Sequence, residues 1–213
     1  MGQVFIFGAS AAYGVGGEHG GWADMIKLRL HKAMFEPGGM GEKHEVYIFA
    51  KPGATAEFVA RTFEGQLDEY RRKDKVVAVI SVGGNNAKAV GMADNFVSTP
   101  EAYSDVMKQL LGSIKKNVDA LVCVGFTPVD EAKTAPKHNP ELGDSFFWNK
   151  RIQEFNTVFE AAAKGAGAVF VNLNVNELEW KQKYVAVDGL HPNDAGHHLI
   201  CDRVWPEVEK ALF

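Results

Sequence analysis

The chain has only two cysteines in 213 residues, Cys123 and Cys201. Two are too few for a disulfide framework, and neither sits in a C-x-x-C or Cys/His spacing that would hold zinc. Each falls inside an apolar run, one strand-like and one helix-like, so both read as buried free thiols. Basic charge is not in excess either. Lys and Arg number 23 against 27 Asp and Glu, a net charge of −4. The basic cluster Arg71-Arg72-Lys73 lies among acids, as a solvated helix end does, which argues against nucleic acid as a partner. No apolar stretch approaches the roughly 20 residues that span a bilayer. The first apolar run starts at residue 4 without a basic leader or a cleavage site. It reads as a strand rather than a secretion signal, and a cytoplasmic location is the expectation. Phosphate cradles are missing too. Gly8, Gly14, Gly16 and Gly17 do not fit G-x-G-x-x-G, and no G-x-x-x-x-G-K-[ST] occurs. A Tyr-x-x-x-Lys pair, Tyr47 and Lys51, crosses from a strand into a turn and reads as chance.

What is present is a regular alternation of elements. Five short β-rich runs recur: Val4–Phe7, Val46–Ala50, Val76–Val82, Leu121–Val124 and Ala168–Leu173. They are nearly unbroken in apolar character, as strands buried on both faces are. Helical periodicities lie between them. Trp22, Ile26, Leu30 and Ala33 share one face; Phe58, Thr62, Phe63, Leu67 and Tyr70 another. Tyr103, Val106, Met107, Leu110, Leu111 and Ile114 give the cleanest period, followed by Ile152, Phe155, Phe159 and Ala162. Ala195, Leu199, Val204, Val208 and Leu212 close the chain, with Pro206 expected to kink that helix. Glu177, Glu179 and Trp180 read as an ordinary exposed helix. The pattern predicts an α/β fold, one domain over residues 1–213, with helices on both faces of a parallel sheet. Two connections are long, about Asn85 to Thr99 and about Thr127 to Ser145, and long ordered loops often line binding sites. The second ends in Phe146-Phe147-Trp148, which fits either a core or a pocket wall.

Sites in open parallel sheets form beyond the carboxyl ends of the strands. Ser10 follows the first run, Gly53 the second and Asn85 the third, while Asp188 and His191 stand just before the last helix. A serine hydroxyl is a poor nucleophile until a base takes its proton. His191 is a candidate for that base, and Asp188 for the group that fixes its tautomer. The Ser10 and Gly53 amides, with the Asn85 side chain, are candidate donors to a developing oxyanion. Taken singly these residues have plainer uses: Ser10 and Asn85 as turn residues, Asn193 or Asp194 as a helix cap, His197 and His198 as structural or solvent-facing, and His138 as exposed.

Four blocks in order at strand ends carry a resemblance: Gly8-Ala9-Ser10 with Gly14, Pro52-Gly53-Ala54-Thr55, Gly83-Gly84-Asn85-Asn86, and Asp188-Gly189-Leu190-His191. Over nearly the whole chain the sequence resembles the SGNH hydrolase superfamily, the GDSL-like lipases and acylhydrolases. The resemblance implies a three-layer α/β/α sandwich with a flavodoxin-like five-stranded parallel sheet. It also implies Ser10, His191 and Asp188 as a catalytic triad, an oxyanion hole of Ser10, Gly53 and Asn85, and no metal or organic cofactor. The implied activity is that of a serine esterase on a small soluble ester, falling in acid as its histidine protonates. An acyltransferase, or a ligand-binding module on the same fold, are the alternatives, and a nucleotide-binding protein is the weakest. Three positions depart from the family pattern. Ala9 and Asn86 stand where the family carries aspartates, and Ile48 where many relatives carry asparagine.

Overall fold

A computed structural model of the chain describes residues 1–213 apart from 36, 37, 39, 40, 142 and 174. In chain order its elements are β1 (Gly2–Gly8), α1 (Ser10–Tyr13), α2 (Trp22–Met34), β2 (His44–Ala50), α3 (Ala56–Tyr70), β3 (Lys75–Ser81), α4 (Gly84–Ala87) and β4 (Ala89–Val90). There follow α5 (Pro100–Lys115), β5 (Ala120–Val124), α6 (Glu131–Thr134), β6 (Ser145–Phe146), α7 (Asn149–Gly165), β7 (Val169–Val171), α8 (Glu177–Lys183) and α9 (Asp194–Leu212). The five expected strands form one sheet in the order β2-β1-β3-β5-β7, every pairing parallel. Counting only those five, this is the flavodoxin order, with its switch point between β1 and β3.

The unbroken apolar strands have a simple cause: alternate side chains feed two different cores. Phe5, Phe7, Ala78, Ile80, Leu121 and Cys123 pack with α3, α5 and α7 on one side. Val4, Ile6, Val77, Val79, Val122 and Val124 pack with α2 and α9 on the other. The result is a three-layer α/β/α sandwich. Both cysteines are free and buried. Among the described residues no helix is long and apolar enough to cross a membrane.

Four details differ from the sequence reading. Trp180 is buried, not exposed: it packs on Tyr184 at 5.7 Å between ring centroids and belongs to the core that α9 shares. The buried face of α9 is Gly196, His197, Ile200, Cys201, Val204, Val208 and Leu212; the expected Leu199 is half-buried and packs against that core, while Ala195 is exposed. Gly196 can sit on that face because it has no side chain to strike the Tyr184 carbonyl. The helix is one element from Asp194 to Leu212 with Pro206 inside it. In α3 the fully buried face is Ala56, Val59, Phe63 and Leu67, and Tyr70 instead caps an aromatic row at 4.9 Å from Tyr47 and 5.5 Å from Phe49. Finally, the two long connections are joined by a small antiparallel pair, β4 with β6.

Candidate active site

Leaving β1, the chain has no room for a side chain at Gly8, which lies against the Ser81 carbonyl and Ala12. The Gly8 carbonyl accepts from Lys51 N–H at 3.1 Å and Ala9 N–H donates to Ser81 at 3.2 Å. The turn is thus held from both neighbouring strands, and Ser10 becomes the first residue of α1. Gly14 ends that turn in the left-handed region (φ 99°), where glycine alone is free of strain. Gly16, also left-handed (φ 93°), has no room for a side chain, which would strike the Pro192 carbonyl and crowd His191 Cβ.

The second half of the site lies between α8 and α9. Ala186 N–H donates to the His191 carbonyl at 2.8 Å, and Gly189 N–H to Ala186 at 3.0 Å, closing a tight loop. Asn193 caps α9, its Oδ1 accepting from Gly196 N–H at 2.9 Å. Inside the loop Asp188 Oδ1 accepts the amides of Leu190 and His191, each at 3.0 Å. Its other oxygen lies 2.6 Å from His191 Nδ1. His191 Nε2 in turn lies 2.8 Å from Ser10 Oγ. Three residues drawn from opposite ends of the chain therefore form one hydrogen-bonded line. Burial pushes the Asp188 carboxyl up, but the His191 ring and the two amides outweigh it and hold it well below the usual carboxylate range. The ionised form is thus the favoured one, and it accepts from the ring N–H more strongly than a neutral group would.

Ser10, Asn85 and His191 face a common cavity of about 100 Å³. Apart from them its wall is largely apolar, with Val82, Val124, Phe126, Phe147, Ile152 and Leu190. Phe147 thus serves as pocket wall and small core at once, packing with Val129 and Ile152. Asn85 Nδ2 donates one hydrogen to the Ala54 carbonyl at 3.0 Å, which leaves its second N–H available. That bond also ties the Gly53 loop to α4. Gly53 is exposed and left-handed (φ 82°), and it is not part of the cavity wall.

The departures from the family pattern acquire local reasons. Asn86 is buried: its Oδ1 accepts from Ala56 N–H at 2.9 Å, and its Nδ2 reaches the two Glu57 oxygens at 3.1 and 2.9 Å. An aspartate there would face a second carboxylate. Ala9 leaves the start of α1 without a side-chain cap. Ile48 packs against the α2/α9 core. Among the other histidines, His197 is buried between Trp22 N–H and the Val15 carbonyl, each 3.2 Å away, while His138 is exposed and pairs with Asp144 at 2.8 Å. One contact has no sequence signal. Lys137, 51 residues from Asp188, places Nζ 3.2 Å from Asp188 Oδ2. Glu18, His19 and Asp194 lie close enough to share a cation, but they are a surface group of a kind common without one.

The model of the GDSL-like Lipase/Acylhydrolase family matches residues 6–199. A GDSL lipase of Mycobacterium tuberculosis is 38% identical over 58 residues, which is 26% of this chain and 24% of that protein. The chain thus spans about a quarter of that curated relative. Among solved structures, a lipase/acylhydrolase from Enterococcus faecalis superposes with a TM-score of 0.70 at 19% identity, covering 100% of this chain and 98% of that one. An acetyl xylan esterase from Geobacillus stearothermophilus gives 0.69 at 15%, covering 97% and 94%. At such identities the likeness is one of fold.

Proposed function

Because the chain belongs to the GDSL-like lipase/acylhydrolase family, we propose that residues 1–213 form one hydrolase domain, a serine esterase working through an acyl-enzyme. The observation that carries this reading is the 2.8 Å approach of His191 Nε2 to Ser10 Oγ. In the reaction His191 takes the Ser10 proton as Oγ attacks the ester carbonyl. Negative charge moves to the carbonyl oxygen, where the Ser10 and Gly53 amides and the second Asn85 N–H receive it. His191 then protonates the leaving alcohol. In the second half it activates water, which releases the acid and restores Ser10. Asp188 stays ionised throughout and keeps the ring in the tautomer that bares Nε2. No step calls on a metal or an organic cofactor. The apolar wall beside Ser10 favours a small ester with an apolar acyl group.

The test is intact mass after exposure to a fluorophosphonate, with Ser10→Ala alongside. One adduct on the wild type and none on the variant is the expected result. Ester turnover by the variant should fall by at least about 1,000-fold. A folded wild-type protein that takes no adduct would overturn the reading.

A further inference from the structure

We propose that Lys137 is a positioning residue for the Ser10–His191–Asp188 line, one that lets the base work further into acid; this rests on the esterase reading above. The lysine follows α6, in the long connection between β5 and α7. Its Nζ donates to Asp188 twice, to the main-chain carbonyl at 3.1 Å and to Oδ2 at 3.2 Å. Oδ2 is also the oxygen that takes His191 Nδ1. One carboxylate oxygen thus serves two cationic or potentially cationic partners. The side chains of Lys137 and Asp188 are 28% and 30% exposed, sheltered enough for the charge to be felt but still in contact with water.

The consequence follows from charge. A lone carboxylate beside an imidazole draws positive charge onto the ring, and a ring already protonated cannot accept the Ser10 proton. The Lys137 ammonium offsets the carboxylate, so less positive charge accumulates on His191 between turnovers. The double grip also fixes Asp188 in place. Lys133 Nζ donates to the Val187 carbonyl at 3.3 Å, and Asp130 N–H to the Gly189 carbonyl at 2.8 Å. The 130–137 segment therefore holds the 187–189 turn at three successive residues. It also leads to the cavity, because Lys137 and Ser145 exchange backbone hydrogen bonds two residues before Phe147.

The other charges nearby are already committed. Asp130 is paired with Lys181 at 2.7 Å. Asp194 accepts from Glu18 N–H at 2.8 Å and lies 3.5 Å from His19. His197, on the α9 side, is held between Trp22 and Val15. Among the described residues, the ion pairs of Asp188 are those with His191 and Lys137.

The experiment compares wild type, K137R and K137M. Two readouts are taken: kcat/KM against pH on an activated ester, and an NMR titration of the His191 ring, which needs no substrate. In K137M the acid limb of the profile should move to higher pH, with kcat/KM about two- to fivefold lower on that limb. The ring titration should move the same way, and K137R should follow the wild type in both. K137Q replaces K137M if the methionine variant does not fold. A neutral variant whose limb and ring titration match the wild type overturns the proposal. So does a K137R as impaired as K137M, since that would indicate packing rather than charge. Fluorophosphonate labelling of the wild type keeps the two questions apart. A protein that takes no label fails as an esterase, and the ring titration still decides whether Lys137 acts on His191.

Discussion

At the scale of single residues, a candidate was visible in the sequence where it stood in a short motif, and not where only a contact with a distant segment marks it. Ser10, Asp188 and His191 were of the first kind. Lys137 was of the second, because nothing near it in the chain points to a residue 51 positions away. Asn86 lies between these cases: its identity was visible as a departure, and its partner is Glu57, which lies just after the preceding block. Burial raises the Glu57 carboxyl, but hydrogen bonds from Thr55 and Asn86 outweigh it and hold it low. A carboxyl depressed in the folded state adds stability above its unfolded value and loses it as pH falls through the folded one. Asn86→Asp removes a donor and adds a like charge, which reverses the sign. It should cost about 1–3 kcal/mol at pH 7, shrinking as the solution is acidified and one carboxyl takes a proton. Urea midpoints at pH 7 and pH 4.5 check this; a loss that is the same at both would rule out the carboxylate pair as its cause. Asp188→Asn should leave the chain folded and lower kcat roughly 1,000- to 10,000-fold through loss of tautomer control, measured on the same ester as Ser10→Ala.

At the scale of elements, the five strands were legible because burial on both faces writes itself as unbroken apolar runs. In α9 Val204, Val208 and Leu212 followed the expected period, but the first turn was less legible, because Gly196 lies on the buried face, where a side chain would meet the Tyr184 carbonyl and no apolar residue marks the position. The β4/β6 pair escaped for a related reason: each strand is two residues long, too short for any alternation to show. Glycines were visible as a cluster after β1, but their separate tasks were not. Gly16 is the one that links the two halves of the site, because it gives α1's loop its path past His191. Gly16→Ala combines a left-handed backbone with a collision at Pro192 and His191. We expect a loss above about 1 kcal/mol in stability and a larger fall in kcat than rise in KM, because the displaced group is the base rather than the cavity wall. A variant that loses stability but keeps kcat would show that the loop and His191 move independently.

At the scale of the whole molecule, the sheet order places the ends of β1 and β3 side by side, which is why residues from the start, middle and end of the sequence meet at one edge. The same architecture has a second pH dependence that must be separated from the site's own. His44, at the start of β2, is buried with neither ring nitrogen hydrogen-bonded among the described residues, and Glu42 Oε2 lies 3.7 Å from Nε2. Burial lowers its affinity for a proton despite the pull of Glu42. Burial lowers that of His197 as well, against the Val15 carbonyl. Both rings therefore bind a proton less readily in the folded chain than in the unfolded one. Stability then rises with pH wherever the unfolded state binds more protons, and it falls as pH drops below the ordinary histidine range. Each ring contributes at most about 1.4 kcal/mol per pH unit in that window. The expected outcome is a urea midpoint that declines from pH 7.5 to pH 5, through one transition seen alike by tryptophan fluorescence and far-UV circular dichroism. His44→Leu should flatten the decline without moving the acid limb of kcat/KM, because β2 begins at the edge of the sheet remote from Ser10. A variant that flattened both would mean that acid inactivation reports unfolding, and the limb assigned to His191 and Lys137 would then belong to the fold.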